Sequence, residues 1–423
     1  MQSPTPDSQR KLFADTMRMM KSDAGSALMI ALFTVTILMA VAMEIVHQSS
    51  VEYLISSQQV NQVKAYYAAK SGIEISLLRL HIYKKAMAAF GSQIPDKSKL
   101  DMIWSAPFAW PPPVPADLNA VDKDSVASSV KNSAMKSTYM ANISAEGSKI
   151  DLNDLASPSE RIRTATKKLV LQIFTSRTEA DNANEDPWAK EYRDFNFEEL
   201  VNNMADWVDA DTDAVAGGAE NRFYQQSEIK DLPPNRSFQS VKELHMVAGM
   251  TDAIYDVIAP RVTTYGSKAV NINFASKEIL MALDNSINSE IADKIIASRN
   301  DPNRGPFKDL KDFLGFITPL GVPESAFINS QDGDKPLLPL AFDPEFNFRI
   351  ESIGTAGKVT RKITAIAYDF DQVKTVLANA IRAELPTPTP DPNAKPPDPT
   401  PTPSPTPAKV PTDRPTVVYW SEE

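Results

Sequence analysis

The chain has 423 residues, 42% of them apolar, which is enough for two or three packed domains. A net charge of −10 and a pI near 5.1 exclude a protein that coats nucleic acid or anionic lipid, because phosphate binding needs clustered Lys and Arg. There is no cysteine, so disulfides and thiol catalysis are excluded, and the composition suits an exported protein that folds without oxidation. His47, His81 and His245 lie far apart and show no zinc-type spacing.

The first element begins at Ser26. No charge occurs from there to Ala42, and the apolar run reaches Val46 interrupted only by Glu44. As a helix that is long enough to cross a bilayer core of ~30 Å. Arg10, Lys11, Arg18 and Lys21 precede it, so the short N-terminal segment is expected in the cytoplasm and the bulk of the chain in the periplasm. Ala40 to Ala42 reads AVA, a passable signal-peptidase site, which leaves a disposable secretory signal as the alternative. The downstream pattern argues for retention. Tyr66, Ala69, Ile73, Leu77 and Leu80 recur at spacings of three and four, one face of a helix, and no proline interrupts Ser26 to Ser92. A helix from Ser26 to about Lys84 would be roughly 90 Å long.

Next comes FAWPPPVP, Phe108 to Pro115, read as a stiff polyproline-type crossing. Tyr139 to Ile143 and Lys149 to Leu152 flank Glu146-Gly147 and predict a β-hairpin. Helical periodicity dominates from Glu160 to about Phe316, with turns at Asp186-Pro187, Pro233-Pro234 and Asp301-Pro302. Alternation returns over Phe346 to Phe370, where Phe348 and Ile350 share a face, as do Ile363, Ala365 and Ala367, the pattern of strand, glycine turn and strand. Strands on both sides of a helical block fit either a helical domain inserted in one sheet or two consecutive domains. From Pro386 to Pro415 there are 13 prolines among Thr, Asp and Lys, a composition that favours extended, disordered chain. The tail reads as a passive linker, and the terminal VVYWSEE, Val417 to Glu423, leaves room for a short anchor that docks on a partner.

Two constellations bear on chemistry. Asp209, Asp211 and Asp213 are spaced by two and Glu220 falls eleven beyond Asp209, the ligand spacing of an EF-hand loop, with Ala214 where the turn glycine belongs. Such a loop either holds a hard cation such as Ca²⁺ or is a solvated acidic helix cap, with Asp206 as an outer carboxylate or a plain exposed residue. The second is a helix-hairpin-helix pattern, about Ser276 to Leu283 and Ser289 to Ser298, followed by Gly305-Pro306-Phe307. Its turn, Asp284 to Asn288, lacks the glycines that let backbone N–H groups reach a phosphate. Asn271 to Leu320 carries six Lys or Arg against seven Asp or Glu. A packing module, with Ile279, Leu280, Leu283, Ile291 and Ile295 as its core, is favoured over DNA binding. No Ser/His/Asp order, P-loop or dinucleotide turn is present, and no enzyme is expected.

A basic leader ending in Gly25, a small residue and an unbroken apolar helix resemble the type IV pilin and type II secretion pseudopilin family. That family usually carries Glu at the fifth mature position. Ile30 stands there instead, which resembles the K-type minor pseudopilins. QVKAYYAAKSGIEIS (Gln62 to Ser76), AEGSKIDLNDL (Ala145 to Leu155), ADWVDADTD with GGAENRFY (Ala205 to Tyr224), ELHMVAGMT (Glu243 to Thr251) and AVNINFASKEIL (Ala269 to Leu280) are similar to K-family segments in the same order.

The resemblance implies an α+β fold: a pilin-like long N-terminal helix and antiparallel sheet, with a large all-α domain inserted in the sheet. The expected division is a leader peptide over 1–25, a transmembrane and filament helix over 26–84, the first part of a pilin-like domain over 85–159, an inserted helical domain over 160–330, returning strands over 331–372 and a proline-rich tail over 373–423. It also implies cleavage between Gly25 and Ser26 by a prepilin peptidase, N-methylation, and a Ca²⁺ site at Asp209, Asp211, Asp213 and Glu220. The expected function is that of a minor pseudopilin at the tip of the type II pseudopilus, initiating its assembly. Expected partners are minor pseudopilins I, J and H and the inner-membrane assembly platform, with the membrane crossed by residues 26–46 and no nucleic acid. A pilus-tip adhesin and a membrane-anchored DNA-uptake protein are the alternatives.

Overall fold

The computed structural model describes residues 6–90, 98–113, 120–179, 185–215, 224, 232–301, 303–329, 335–370 and 414–423. Its first helix, α1, runs from Pro6 to Phe90. It thus starts earlier and ends later than the span expected from periodicity, because nothing in the flanking sequence breaks it: the first proline after Pro6 is Pro95. It passes through Gly25 without interruption. The helix has two unlike parts. From Leu28 to Val63 its large apolar side chains are exposed, while from Ala65 one face is buried.

That buried face sits on a five-stranded antiparallel sheet whose strands lie in chain order: β1 (Phe108–Trp110), β2 (Thr138–Ala145), β3 (Asn347–Ala356), β4 (Val359–Tyr368) and β5 (Thr416–Glu422). Ala69, Ile73, Leu77, Leu80 and Tyr83 of α1 pack with Ile143, Phe348, Ile350, Ile363 and Ala365 of the sheet, and Tyr66 packs at the margin. This is the predicted helix face on the predicted strand face. Contact is close because the seam is built of small residues: a Cβ on Gly354 would collide with the Ala65 carbonyl and the Ala69 nitrogen, and one on Gly72 with Ser352. The β3–β4 turn is two residues long and places Gly357 at φ +59°, a conformation glycine adopts without strain.

Between β2 and β3 the chain makes a helical domain. Short α2 (Ser98–Ser105) and α3 (Ala120–Asn132) precede β2, and the domain itself holds α4 (Glu160–Thr178), α5 (Pro187–Glu191), α6 (Phe197–Val208), α7 (Asp252–Ile258), α8 (Lys277–Met281), α9 (Ser289–Arg299) and α10 (Leu310–Ile317). Its core is separate from that under α1 and centres on Phe174, Trp207, Phe238, Phe307 and Phe313. Starts are set by side-chain caps at Ser159, Asp186, Asn196, Thr251, Ser276, Asn288 and Asp309, each accepting a backbone N–H of the first turn. Ile279, Leu280, Leu283, Ile291 and Ile295 are all buried, as expected of a packing module. The insertion arrangement, rather than two consecutive domains, is the one observed.

Three expectations need correction. Phe108 to Trp110 is an edge strand rather than part of a polyproline crossing, because Phe108, Ala109 and Trp110 pair with Ala141, Met140 and Tyr139. The segment after Glu146 does not return along β2 as a hairpin. Ile150 and Asp151 pair in parallel with Val262 and Thr263, since the turn closed by the Lys149 N–H on the Glu146 carbonyl, at 3.1 Å, carries the chain out of the sheet. Finally, Val417 to Glu422, in the stretch read as room for an anchor on a partner, belong to strand β5 on the edge of β4 of the same chain. Residues 371–413, which hold most of the expected disordered tail, lie outside the described residues.

Candidate functional site

Three places carry polar or interaction chemistry. The first is the unpartnered part of α1. Gly25 to Phe90 contains the one helix among the described residues that is long and apolar enough to cross a membrane. Ile30, at the position where a pilin's Glu is expected, is 65% exposed among Leu28, Met29 and Phe33 on a shaft with no packing partner among the described residues. Exposed apolar surface of this extent requires lipid or other helices. A Cβ at Gly25 would meet nothing within 4 Å, so the fold itself makes no demand for glycine there.

The second place is the acidic loop after α6. Asp206, on the last turn, is buried and its Oδ1 accepts the N–H of Val215 at 2.9 Å, folding the loop back over the helix end. Asp209 caps α6 at its C-terminal end. Asp211 and Asp213 are exposed; Asp211 Oδ1 accepts the N–H of Asp213 at 2.9 Å, and the Asp211 carbonyl accepts the Asn235 side chain. Ala214, in place of the EF-hand glycine, is buried beneath the loop. Glu220 lies outside the described residues. The donors are carboxylates, chemistry that suits a hard cation, but among the described residues no three His, Cys, Asp or Glu side chains converge into a metal-holding group. Lys167 supplies positive charge nearby: burial pushes its ammonium down, and the charges of Asp206 and Asp209 oppose that.

The third place was not anticipated. Where the chain leaves and re-enters the sheet, two glutamates are buried. Glu146 is 0% exposed, receives two hydrogen bonds from Arg349 at 2.7 and 2.6 Å and one from Thr263 Oγ1 at 2.6 Å, and pairs with Lys149 at 3.0 Å. Burial alone would push its carboxyl up; the Arg349 hydrogen bonds and the Lys149 charge outweigh burial and hold it at about 2. Glu345 is 1% exposed and accepts the N–H groups of Phe346 and Asn347, both at 3.0 Å. Here burial dominates and, with the nearby charge of Glu146, pushes the carboxyl up to about 7. Gly147 is required by this contact, since its Cβ would stand 2.6 Å from Glu345 Oε1. Asp151 and Asp154 share Lys268, and burial pushes both carboxyls up. Glu146 and Glu345 stand just outside the strand ends, after Ala145 and before Asn347, and Arg349 alternates with Glu351 on the half-exposed face of its strand, so no single-strand pattern marks them. Their pairing is hidden by separation in sequence.

At the hairpin turn of the helical module, the Asp284 carboxylate accepts both the N–H and the hydroxyl of Ser286, at 3.1 and 2.7 Å. The backbone group that would face a phosphate is therefore already taken, and by an anion.

Two consecutive segments match family models described as Type II secretion system (T2SS), protein K: residues 148–267 and 270–330. This part of the chain is similar to protein K of the type II secretion system. The matched region begins one residue after Gly147, where the chain leaves the sheet, and ends before β3, so the protein K signature coincides with the inserted helical domain. Protein K of Dickeya chrysanthemi is 31% identical over 134 residues, 30% of this chain and 35% of that protein. Protein K of Klebsiella pneumoniae is 32% identical over 75 residues, 18% of this chain and 23% of that protein. Protein K of Aeromonas hydrophila is 31% identical over 122 residues, 27% and 36% respectively. The chain thus spans about a quarter to a third of the length of the curated protein K relatives it matches. The solved GspK-GspI-GspJ complex from enterotoxigenic Escherichia coli contains a chain that aligns with 74% of this one and 93% of its own length, at 17% identity and a TM-score of 0.49.

Proposed function

We propose that the protein is a minor pseudopilin occupying the tip of a type II secretion pseudopilus, where it starts assembly and supports protein export across the outer membrane. The observation that carries this reading is the shaft: about forty residues of apolar helix left exposed, continuous with a helix packed under a sheet, in a chain whose residues 148–330 resemble protein K. Ile30 supports the tip position. A glutamate there would neutralise a neighbour's buried N-terminal amine, and a subunit with no neighbour above has no such amine to meet. The inserted domain adds bulk that blocks further subunits above it. Its partners are then minor pseudopilins I, J and H, meeting the shaft along Ser26 to about Ser50, and the assembly platform below. The head faces the periplasm, opposite the basic N-terminal segment.

The same reading includes removal of residues 1–25 by a prepilin peptidase with methylation of Ser26. A glycine that the fold does not need, and that costs a helix about 1 kcal/mol relative to alanine, is explained by an external enzyme that does need it. It also includes Ca²⁺ held by the loop of Asp209, Asp211 and Asp213 together with Glu220, a hard cation offsetting carboxylates that would otherwise repel.

The decisive experiment is gold labelling of the protein on isolated pseudopili, coupled to a secretion assay of the deletion strain. Label confined to one filament end, with secretion lost on deletion, is expected. Label distributed along the filament at a stoichiometry near that of the major subunit overturns the tip position.

A further inference from the structure

The outermost strand of the sheet is supplied by the far end of the chain. On β4, Tyr368 stands opposite Thr416, Ala365 opposite Trp420 and Ile363 opposite Glu422, and Lys362 and Glu423 exchange two backbone hydrogen bonds of 2.9 Å. Neighbours across a hairpin need a connection of two to five residues. Here residues 369–415 intervene. A chain of that length reaches roughly 40 Å as a coil and over ~100 Å if drawn out as polyproline. Such surplus is not needed to seat β5 on its own sheet.

The seat is chemically specific. Val417 packs at the margin of the α1 core beside Ala367, and the Tyr419 ring lies 5.4 Å from that of Tyr265. Glu423 Oε1 meets Lys242 Nζ at 3.0 Å. Beside it opens a cavity of about 280 Å³, lined in part by Lys149, Lys242, Arg349 and Lys362 against Glu351 and Glu423. At the same time the strand is lightly held. No large side chain of β5 is fully buried, and Val418 and Trp420 are exposed. Segments with few buried contacts lie at the low end of local opening free energies.

We propose that the outer edge of β4 is a strand-addition site for an extended peptide with an acidic side chain beside Lys242, plugged in cis by residues 416–423 and open to such a strand from a neighbouring subunit when they leave. Backbone pairing supplies affinity; the Val417 and Tyr419 positions and the lysines around Glu423 supply selectivity. The plug also prevents promiscuous pairing at an otherwise bare edge. Tethering gives β5 an effective concentration in the mM range, so a free peptide is excluded whereas a strand held in the same assembly competes on equal terms.

The test places a protease site near residue 395 of the full chain in detergent and uses a fluorescent peptide of residues 414–423. The intact chain is expected to bind it at least tenfold more weakly than the cut chain after dilution. Lys242→Glu in the cut chain, or Glu423→Pro in the peptide, is expected to weaken binding tenfold or more, with the melting temperature of the Lys242→Glu chain unchanged. Equal binding to cut and intact chains, or no binding to a cut chain that retains its melting temperature, overturns the proposal.

Discussion

Arg349→Ala tests the buried charge pair at the base of the helical domain. The substitution removes both hydrogen bonds from the guanidinium to Glu146 and leaves a fully buried carboxylate with Lys149 and Thr263 as its remaining partners. In the folded chain Glu146 sits at about 2 against an ordinary 4.5, which corresponds to about 3 kcal/mol favouring the ionised form. Breaking a buried pair from one side costs about 3–5 kcal/mol, against a total stability for ordinary domains of about 5–15 kcal/mol. Urea unfolding of the full chain in detergent at pH 7 should show a loss in that range, and Glu146→Gln added to Arg349→Ala should recover part of it. A loss below about 1 kcal/mol, or a double variant no more stable than the single, would refute the view that this pair holds the junction.

Glu345 gives a pH dependence of the opposite sense. Its folded value of about 7 lies above the unfolded 4.5, so the unfolded chain binds fewer protons and stability should fall by about 3 kcal/mol as pH rises through that window. Glu146 loses its contribution as pH falls from 4.5 towards 2, so a stability maximum near pH 5 is expected, and Glu345→Gln should flatten its upper side in pH-dependent melts. Gly354→Ala drives a methyl into the α1 backbone and should destabilise by about 1–3 kcal/mol in the same urea assay, with the α1 and sheet signals lost together. If the acidic loop holds Ca²⁺, a hundredfold excess over the dissociation constant should add about 2.7 kcal/mol, read as a higher melting temperature than in chelator, and Asp211→Ala should abolish the gain. Gly25→Ala should block removal of the leader, seen as an unshifted band and an unprocessed N-terminus by mass spectrometry, with melting unchanged.

Local patterns were legible where the partner of a segment is itself local or regular. The face from Tyr66 to Leu80 is read correctly because 3.6-residue periodicity persists when a helix packs on a sheet. The β3–β4 hairpin is read from its alternation and Gly357. Ile150 and Asp151 are misassigned because two residues of extended chain carry no information about their partner, and the observed one is more than a hundred residues away. The same limit hides the junction, where Glu146 and Arg349 are 203 positions apart. Strand β5 is missed because its alternation follows a proline-rich stretch and its edge position leaves both faces partly wet. Of the candidate calcium ligands, Asp209, Asp211 and Asp213 fall in one loop, as their spacing indicates.

The insertion between β2 and β3 has a consequence for the order of folding. These two strands pair along Thr138 to Ala145, yet the chain must travel through residues 146–346 before the second of them exists. Closing a loop of that length as random coil is slow and entropically opposed. A folded helical domain shortens the gap, since the contacts of Thr263 with Glu146 and of Asn271 with Glu345 bring its two ends together. The helical domain should therefore fold first and template the sheet beneath it, so the platform under α1 forms only in chains whose helical domain is already sound. Defects in the core around Trp207 and Phe238 would then surface as a missing sheet, far from the residue changed.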